Sequence, residues 1–246
     1  MYKKRRNRRP VIGLGLFLFF CMLLAAYFFL NSAFFNLQKI EVRGCVTIAE
    51  DTVNKLCGVT LGTNLLKIEI DRVKTKIDMH PVIKRVHISR KPPHTLVLEV
   101  EERTPIALVV SYSGYLAIDE EGIFIKQMDD LLNLNYPVIS GISIDESTSP
   151  GDDLSSPGLE AALQLLRLME KDFLANVAEI KAAKSYNLIL KMLQGVEIHF
   201  GEPENIEQKL KIVKELLIEN QEIINNQTVE YIDLRYNSLP IIKQKN

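Results

Sequence analysis

Twenty consecutive uncharged residues, 11–30 (VIGLGLFLFFCMLLAAYFFL), constrain this chain more than any other feature. Thirteen of them are Leu, Ile, Phe or Val. As a helix the run is ~30 Å long, matching the hydrocarbon core of a bilayer. At about −0.3 to −0.6 kcal/mol per large apolar residue, insertion is favoured by roughly 4–8 kcal/mol, less a little for Gly13 and Gly15. Lys3, Lys4, Arg5, Arg6, Arg8 and Arg9 stand immediately before the run, and the first cation after it is Lys39. This asymmetry predicts a basic cytoplasmic tail (1–10), a transmembrane helix (11–30) and export of the rest. The expected location is the cytoplasmic (inner) membrane, crossed once. A cleaved signal peptide would have an apolar core of about 7–15 residues and an Ala-x-Ala-like exit. Here the core is longer and is followed by Asn31-Ser32-Ala33. Arg8-Arg9 runs straight into Pro10 and the apolar block, which argues against a twin-arginine address.

The formal charge is −1, from 30 Lys+Arg against 31 Asp+Glu, which excludes a uniformly basic nucleic-acid coat. No nucleic-acid partner is expected; the bilayer is. A hydrophobic content of 47% with three cysteines excludes a disordered chain and a disulfide-dense mini-protein. Cys21 falls inside the span. Cys45 and Cys57 fall in the exported part, where a disulfide is permitted but not demanded. Two small buried apolar side chains are the other reading.

Residues 37–104 predict a β-α-α-β-β unit. Leu37, Ile40 and Val42 alternate with polar residues up to Gly44, a strand and its turn. Ile48, Val53 and Leu56 have helical spacing and stop at Gly58, a C-cap residue. Ile70, Val73 and Ile77 form a second helical stripe that ends before Pro81. Two alternating runs follow, one with Val82, Val86 and Ile88 on a face that Lys84 interrupts. The other has Leu96, Leu98 and Val100 on one face and Val97, Glu99 and Glu101 on the opposite one. Lys91-Pro92-Pro93-His94 turns between them. With Gly62, Asn64-Leu65-Leu66, His80-Pro81-Val82, Arg90 through Leu96 and the closing Val100-Glu101-Glu102-Arg103-Thr104-Pro105, this order resembles the POTRA domain of the bacterial FtsQ/DivIB cell-division proteins.

Residues 105–246 predict a mostly antiparallel β domain with two helices, which makes the whole chain α+β. Strands are expected near 105–110, 115–118, 123–125, 136–141, 177–182, 186–192 and 196–200. The stretch 146–158 reads as a surface loop. Ser156-Pro157 supplies the N-cap and first position of a helix expected to run to about Phe173. A second helix begins near Pro203 with Ile206, Leu210, Val213 and Leu217 on its stripe. The last strand expected is 229–236 (VEYIDLRY), with Ile232, Leu234 and Tyr236 on one face and Tyr231, Asp233 and Arg235 on the other. This half resembles the FtsQ/DivIB β domain through Leu116 to Asp119 with Gly122 and Phe124, Tyr136-Pro137-Val138-Ile139 with Gly141, and Tyr231-Ile232-Asp233-Leu234-Arg235-Tyr236. It departs from the family where Asn237-Ser238 meets Leu239-Pro240.

Catalytic motifs are missing from the sequence: it has no Gly-x-Ser-x-Gly, His-Glu-x-x-His or Ser-x-x-Lys constellation. His80, His87 and His94 fall on a helix end, a strand and a turn, so their spacing does not converge on a metal. Asp119-Glu120-Glu121 before Gly122 reads as a solvated turn sooner than as an acid/base pair. No catalytic residue, cofactor or metal is therefore expected. What remains is exposed main chain. A terminal strand at a sheet edge offers unpaired N–H and C=O groups to an extended partner segment, whereas an interior strand does not. The pattern of 229–236 leaves both readings open. The family resemblance implies a non-catalytic divisome scaffold that recruits FtsB- and FtsL-type coiled-coil proteins through the C-terminal part of the β domain. It also implies docking of other division proteins on the POTRA unit, and a septal location. On that reading Tyr231, Asp233, Leu234, Arg235, Tyr236 and Ser238 form the partner-binding surface.

Overall fold

The computed structural model describes residues 9–112, 114–128, 136–219, 229–236 and 239–245. They form two units, Met1–Met79 with Ile83–Glu102, and His80–Val82 with Arg103–Asn246.

The first unit opens with α1 (Arg9–Leu30), long and apolar enough to cross a membrane. A 3₁₀ turn, Ala33–Phe35, leads into β1 (Lys39–Arg43). Next come α2 (Glu50–Cys57), a second 3₁₀ turn (Leu65–Lys67), α3 (Ile70–Asp78), β2 (Ile83–Lys91) and β3 (Thr95–Glu102). The sheet order is β1-β3-β2, with β1 parallel and β2 antiparallel to the central β3. Gly58 ends α2 in the left-handed conformation, as its sequence position predicts. Val53, Cys57, Val73 and Ile77 from the helices bury against Leu96, Leu98 and Val100 of β3. Each such side chain contributes about 1.5–3 kcal/mol when fully buried.

One expectation is corrected in β2. The register slips between Ile83 and Arg85, so Ile83, not Val82, lies inside with Val86 and Ile88. A bulge inserts one residue and restores the inward parity that Lys84 had seemed to break.

The second unit is a nine-stranded sheet. Its strands are β4 (Ala107–Ser111), β5 (Gly114–Ile118), β6 (Phe124–Met128), β7 (Val138–Ser140), β8 (Val177–Lys181), β9 (Leu188–Met192), β10 (Glu197–Gly201), β11 (Val229–Asp233) and β12 (Ile241–Gln244). Three helices, α4 (Pro157–Leu168), α5 (Lys171–Leu174) and α6 (Ile206–Glu219), complete it. The sheet order is β12-β11-β10-β9-β8-β7-β4-β5-β6. Neighbours are antiparallel except β4–β7, β7–β8 and β10–β11. Ile180, Leu190, Ile198 and Ile232 stand in register across four strands, each at most 1% exposed. Leu159, Leu163 and Leu166 of α4 and Ile206, Leu210 and Val213 of α6 join the same core.

Ser156 caps α4 by accepting from the Leu159 N–H at 3.2 Å, with Pro157 at the first position. The single helix expected to reach Phe173 is broken, because Met169 turns extended and one further turn follows as α5. Met169 and Phe173 are both buried across this break. The strand expected over 229–236 is also shorter and stops at Asp233.

Candidate functional site

Three of the six residues singled out in the sequence, Asp233, Arg235 and Tyr236, are joined where the chain leaves β11, and Tyr231 lies within that strand. Asp233 holds the chain as it leaves the strand. Its Oδ1 accepts from the Arg235 N–H at 3.0 Å and from Arg235 Nε at 3.0 Å, and its Oδ2 accepts from Nη2 at 2.5 Å. The Arg235 guanidinium keeps the Asp233 carboxyl below the usual range, outweighing a burial that leaves it 8% exposed. Gly201, at φ 76°, makes room for this arrangement, since a Cβ there would lie 3.1 Å from Arg235 Cγ. The Arg235 guanidinium in turn sits 5.8 Å over the ring of Tyr236, which is 66% exposed.

Tyr231 stacks flat on His199 of β10, with centroids 4.6 Å apart and planes inclined by 8°. Lys243 of β12 covers the same tyrosine at 5.4 Å and pairs with Glu230 at 2.9 Å. Leu234 is a core residue at 4% exposure, and its N–H reaches the His199 carbonyl at 2.9 Å. It supports the surface without contributing to it. Tyr236 was predicted to share a face with Ile232 and Leu234, yet it is exposed because the strand ends before it. Ser238 lies outside the described residues.

Of the two readings left open for 229–236, edge and interior strand, the structure shows the interior one. β11 is an interior strand, parallel to β10 on one side and antiparallel to β12 on the other. β12 is the edge, and all four of its residues are exposed. Leu239, Ile241 and Ile242 add apolar surface there, at 87%, 56% and 37% exposure. The available signal was Ile241-Ile242 directly after Pro240, a β-branched pair behind a turn residue.

Two further clusters of charged groups serve the fold. Asp119 Oδ1 accepts from the N–H groups of Glu121 (2.9 Å) and Ile123 (3.0 Å), and Arg103 bonds both Asp119 and Glu121. Burial alone would lower the Arg103 pKa, but these two carboxylates raise it. The turn predicted at 119–122 is present, but it is not solvated at Asp119, which is 2% exposed because Arg103 and two main-chain donors satisfy its carboxylate. In the first unit, Glu102 accepts from the N–H groups of Val46 (2.6 Å), Thr47 (3.0 Å) and Ile48 (3.1 Å), and from the Thr47 hydroxyl. Partial burial pushes its carboxyl up, yet these donors prevail and hold it below the usual range. Cys45 and Cys57 are free thiols, and burial pushes both pKa values up. Among the described residues, no three His, Cys, Asp or Glu side chains converge in a metal-binding group.

Residues 35–103 match the family model described as POTRA domain, FtsQ-type. Residues 107–235 match the one described as Cell division protein FtsQ/DivIB, C-terminal, which covers more than half of the chain. The chain belongs to the FtsQ/DivIB family. Similar FtsQ/DivIB proteins include the cell division protein FtsQ of Geotalea daltonii, 32% identical over 223 residues, covering 87% of this chain and 78% of that one. FtsQ of Geobacter sp. strain M21 is 28% identical over 216 residues, covering 85% and 76%. DivIB of Clostridium tetani is 21% identical over 221 residues, covering 85% and 79%. The FtsQ/DivIB C-terminal match closes on Arg235, so the clasp around Asp233 lies within it and β12 beyond it.

Proposed function

We propose that this FtsQ/DivIB chain is a non-catalytic divisome scaffold that takes up FtsB- and FtsL-type partners by strand addition to β12. One observation carries the reading: a sheet edge, Ile241–Gln244, exposed at every residue and flanked by Tyr236 and Leu239. Main-chain bonds along such an edge supply affinity, and flanking side chains select the guest. Tyr231, Asp233, Arg235 and Tyr236 are the selecting group, with Leu234 beneath them, and Ser238 belongs to the same partner-binding set. α1 is the anchor in the cytoplasmic membrane, with the basic tail inside and both units outside. The unit of residues 37–104 docks other division proteins, residues 105–246 form the β domain, and the assembly links septal recruitment to peptidoglycan synthesis.

A proline scan of Ile241–Gln244 tests the edge. On an edge strand alternate N–H groups point away from the sheet, and proline at those positions removes only a bond to a guest. Co-purification with the coiled-coil partner should drop at alternating positions while far-UV circular dichroism stays unchanged. Full binding at every position rejects the edge as the docking site. A fluorescent fusion should form a midcell band in dividing cells, and uniform envelope fluorescence rejects the division role.

A further inference from the structure

We infer that the loop after α2 is a second membrane contact, in which Leu61 and Leu66 enter the headgroup region beside the end of α1 and Lys67, Arg72 and Lys76 bind the phosphodiester of an anionic phospholipid. The inference rests on α1 as the membrane span.

The loop is bonded to the end of that helix. Asn64 Nδ2 donates to the carbonyl of Leu30, the last residue of α1, at 2.8 Å. The Leu37 N–H donates to the Thr63 carbonyl and the Gly62 N–H to the Leu37 carbonyl, each at 2.8 Å. Asn36 and Asn64 form an isolated antiparallel bridge. Wherever the apolar helix leaves the hydrocarbon, this loop is within hydrogen-bond reach of its last turn.

The side chains gathered at this junction suit lipid. Phe29 stacks on Phe34 at 5.6 Å and meets Phe35 edge-on at 5.3 Å, an aromatic cluster of the kind found at headgroup level. Leu61 is 65% exposed and Leu66 38%, which is costly in water and favourable at an interface.

The loop also borders a groove of about 340 Å³ lined by Thr60, Thr63, Lys67, Glu69, Arg72 and Lys76. Three cations face one acid there. The Thr60 and Thr63 hydroxyls bond each other at 3.1 Å, which leaves one O–H of the pair as a further donor. A phosphodiester is an anion of this size and hydrogen-bonding character. The apolar fringe and the bonded helix end select a headgroup over a free phosphate, because only the headgroup is held permanently at this height. Three cations at roughly fivefold each predict about a hundredfold gain in the docked population on an anionic over a zwitterionic surface.

The chain contains no tryptophan, so one introduced indole reports alone. The full chain carrying Leu61→Trp is reconstituted into phosphatidylcholine vesicles brominated on the upper acyl chain, with or without phosphatidylglycerol. Phe20→Trp reports the span. Val46→Trp reports the far end of the unit, because Val46 is bonded to Glu102, and Glu102 and Thr95 end a strand that is about 23 Å long. We expect Leu61→Trp to be quenched severalfold more than Val46→Trp, and more still with phosphatidylglycerol. Combining it with Lys67→Glu, Arg72→Glu and Lys76→Glu should abolish the phosphatidylglycerol increment. Leu66→Trp repeats the measurement from the second leucine. Equal quenching of Leu61→Trp and Val46→Trp, with Phe20→Trp quenched, overturns the loop contact and leaves the anchor standing. An increment that survives the charge reversals overturns the phosphodiester site. An unquenched Phe20→Trp overturns the span itself.

Discussion

A Cβ placed on Gly44 would stand 2.2 Å from the carbonyl oxygen of Val100. The glycine also sits at φ 84°, so both its backbone angle and its missing side chain are required where β1 ends against β3. Gly44→Ala should cost at least about 3 kcal/mol, from left-handed strain plus displacement of a main-chain oxygen. Urea unfolding of the detergent-solubilised chain, followed by far-UV circular dichroism, measures it. A loss below about 1 kcal/mol, the ordinary effect of a point change, would show that the strands part without penalty.

Glu102 fixes the loop entering α2 as an anion. Its folded pKa is depressed, so its stabilisation is full above the unfolded value and fades as pH falls through the folded one. Glu102→Gln should destabilise by about 1–3 kcal/mol at neutral pH. The gap between variant and wild type should narrow as pH falls below the ordinary glutamate value and vanish once Glu102 is protonated in the folded protein as well. A gap that stays constant down to acid pH would assign the effect to packing.

The start of α4 depends on two residues. Ser156→Ala removes the cap and should cost about 1 kcal/mol. Gly158→Ala should cost more, because a Cβ there would lie 2.0 Å from the Ala182 carbonyl oxygen at the end of β8. Thermal melts of the two single variants should rank them in that order.

Asp233→Asn keeps the volume of the side chain and removes the charge that Arg235 clasps. Hydrogen exchange should quicken at 229–233 and 241–244, and partner capture should weaken severalfold. The wild-type clasp should itself loosen as pH falls below the ordinary carboxylate value, since the Asp233 pKa is held down in the folded protein. Unchanged exchange in Asp233→Asn would show that the clasp does not hold β11 against β12.

Much of this architecture is legible before any coordinate. The span, the Gly58 cap, the Ser156-Pro157 start and the in-register apolar positions of β8 to β11 are written as local patterns. What escaped depends on distant partners. The bulge that brings Ile83 inward exists because β3 presents a fixed row of Leu96, Leu98 and Val100, and nothing within 82–90 states it. The break at Met169 likewise answers to packing beneath the helix. β12 was missed because four residues, two of them polar, carry too little periodicity to announce a strand. The alternation of VEYIDLRY ends with the strand at Asp233, and alternation does not say which strand flanks it. The edge belongs instead to β12, the antiparallel neighbour of β11.

The parallel pairing of β1 with β3 has a mechanical corollary. β1 is joined at its beginning to the apolar helix α1, and β3 hands over at its end to the second unit. A pull between α1 and the chain beyond Glu102 would draw these strands in opposite directions along their length. Five residue pairs, from Lys39 with Thr95 to Arg43 with Glu99, would bear that tension together in shear, not unzip one by one. Wired this way, the sheet resists stretching between its two chain connections most strongly along the strands themselves.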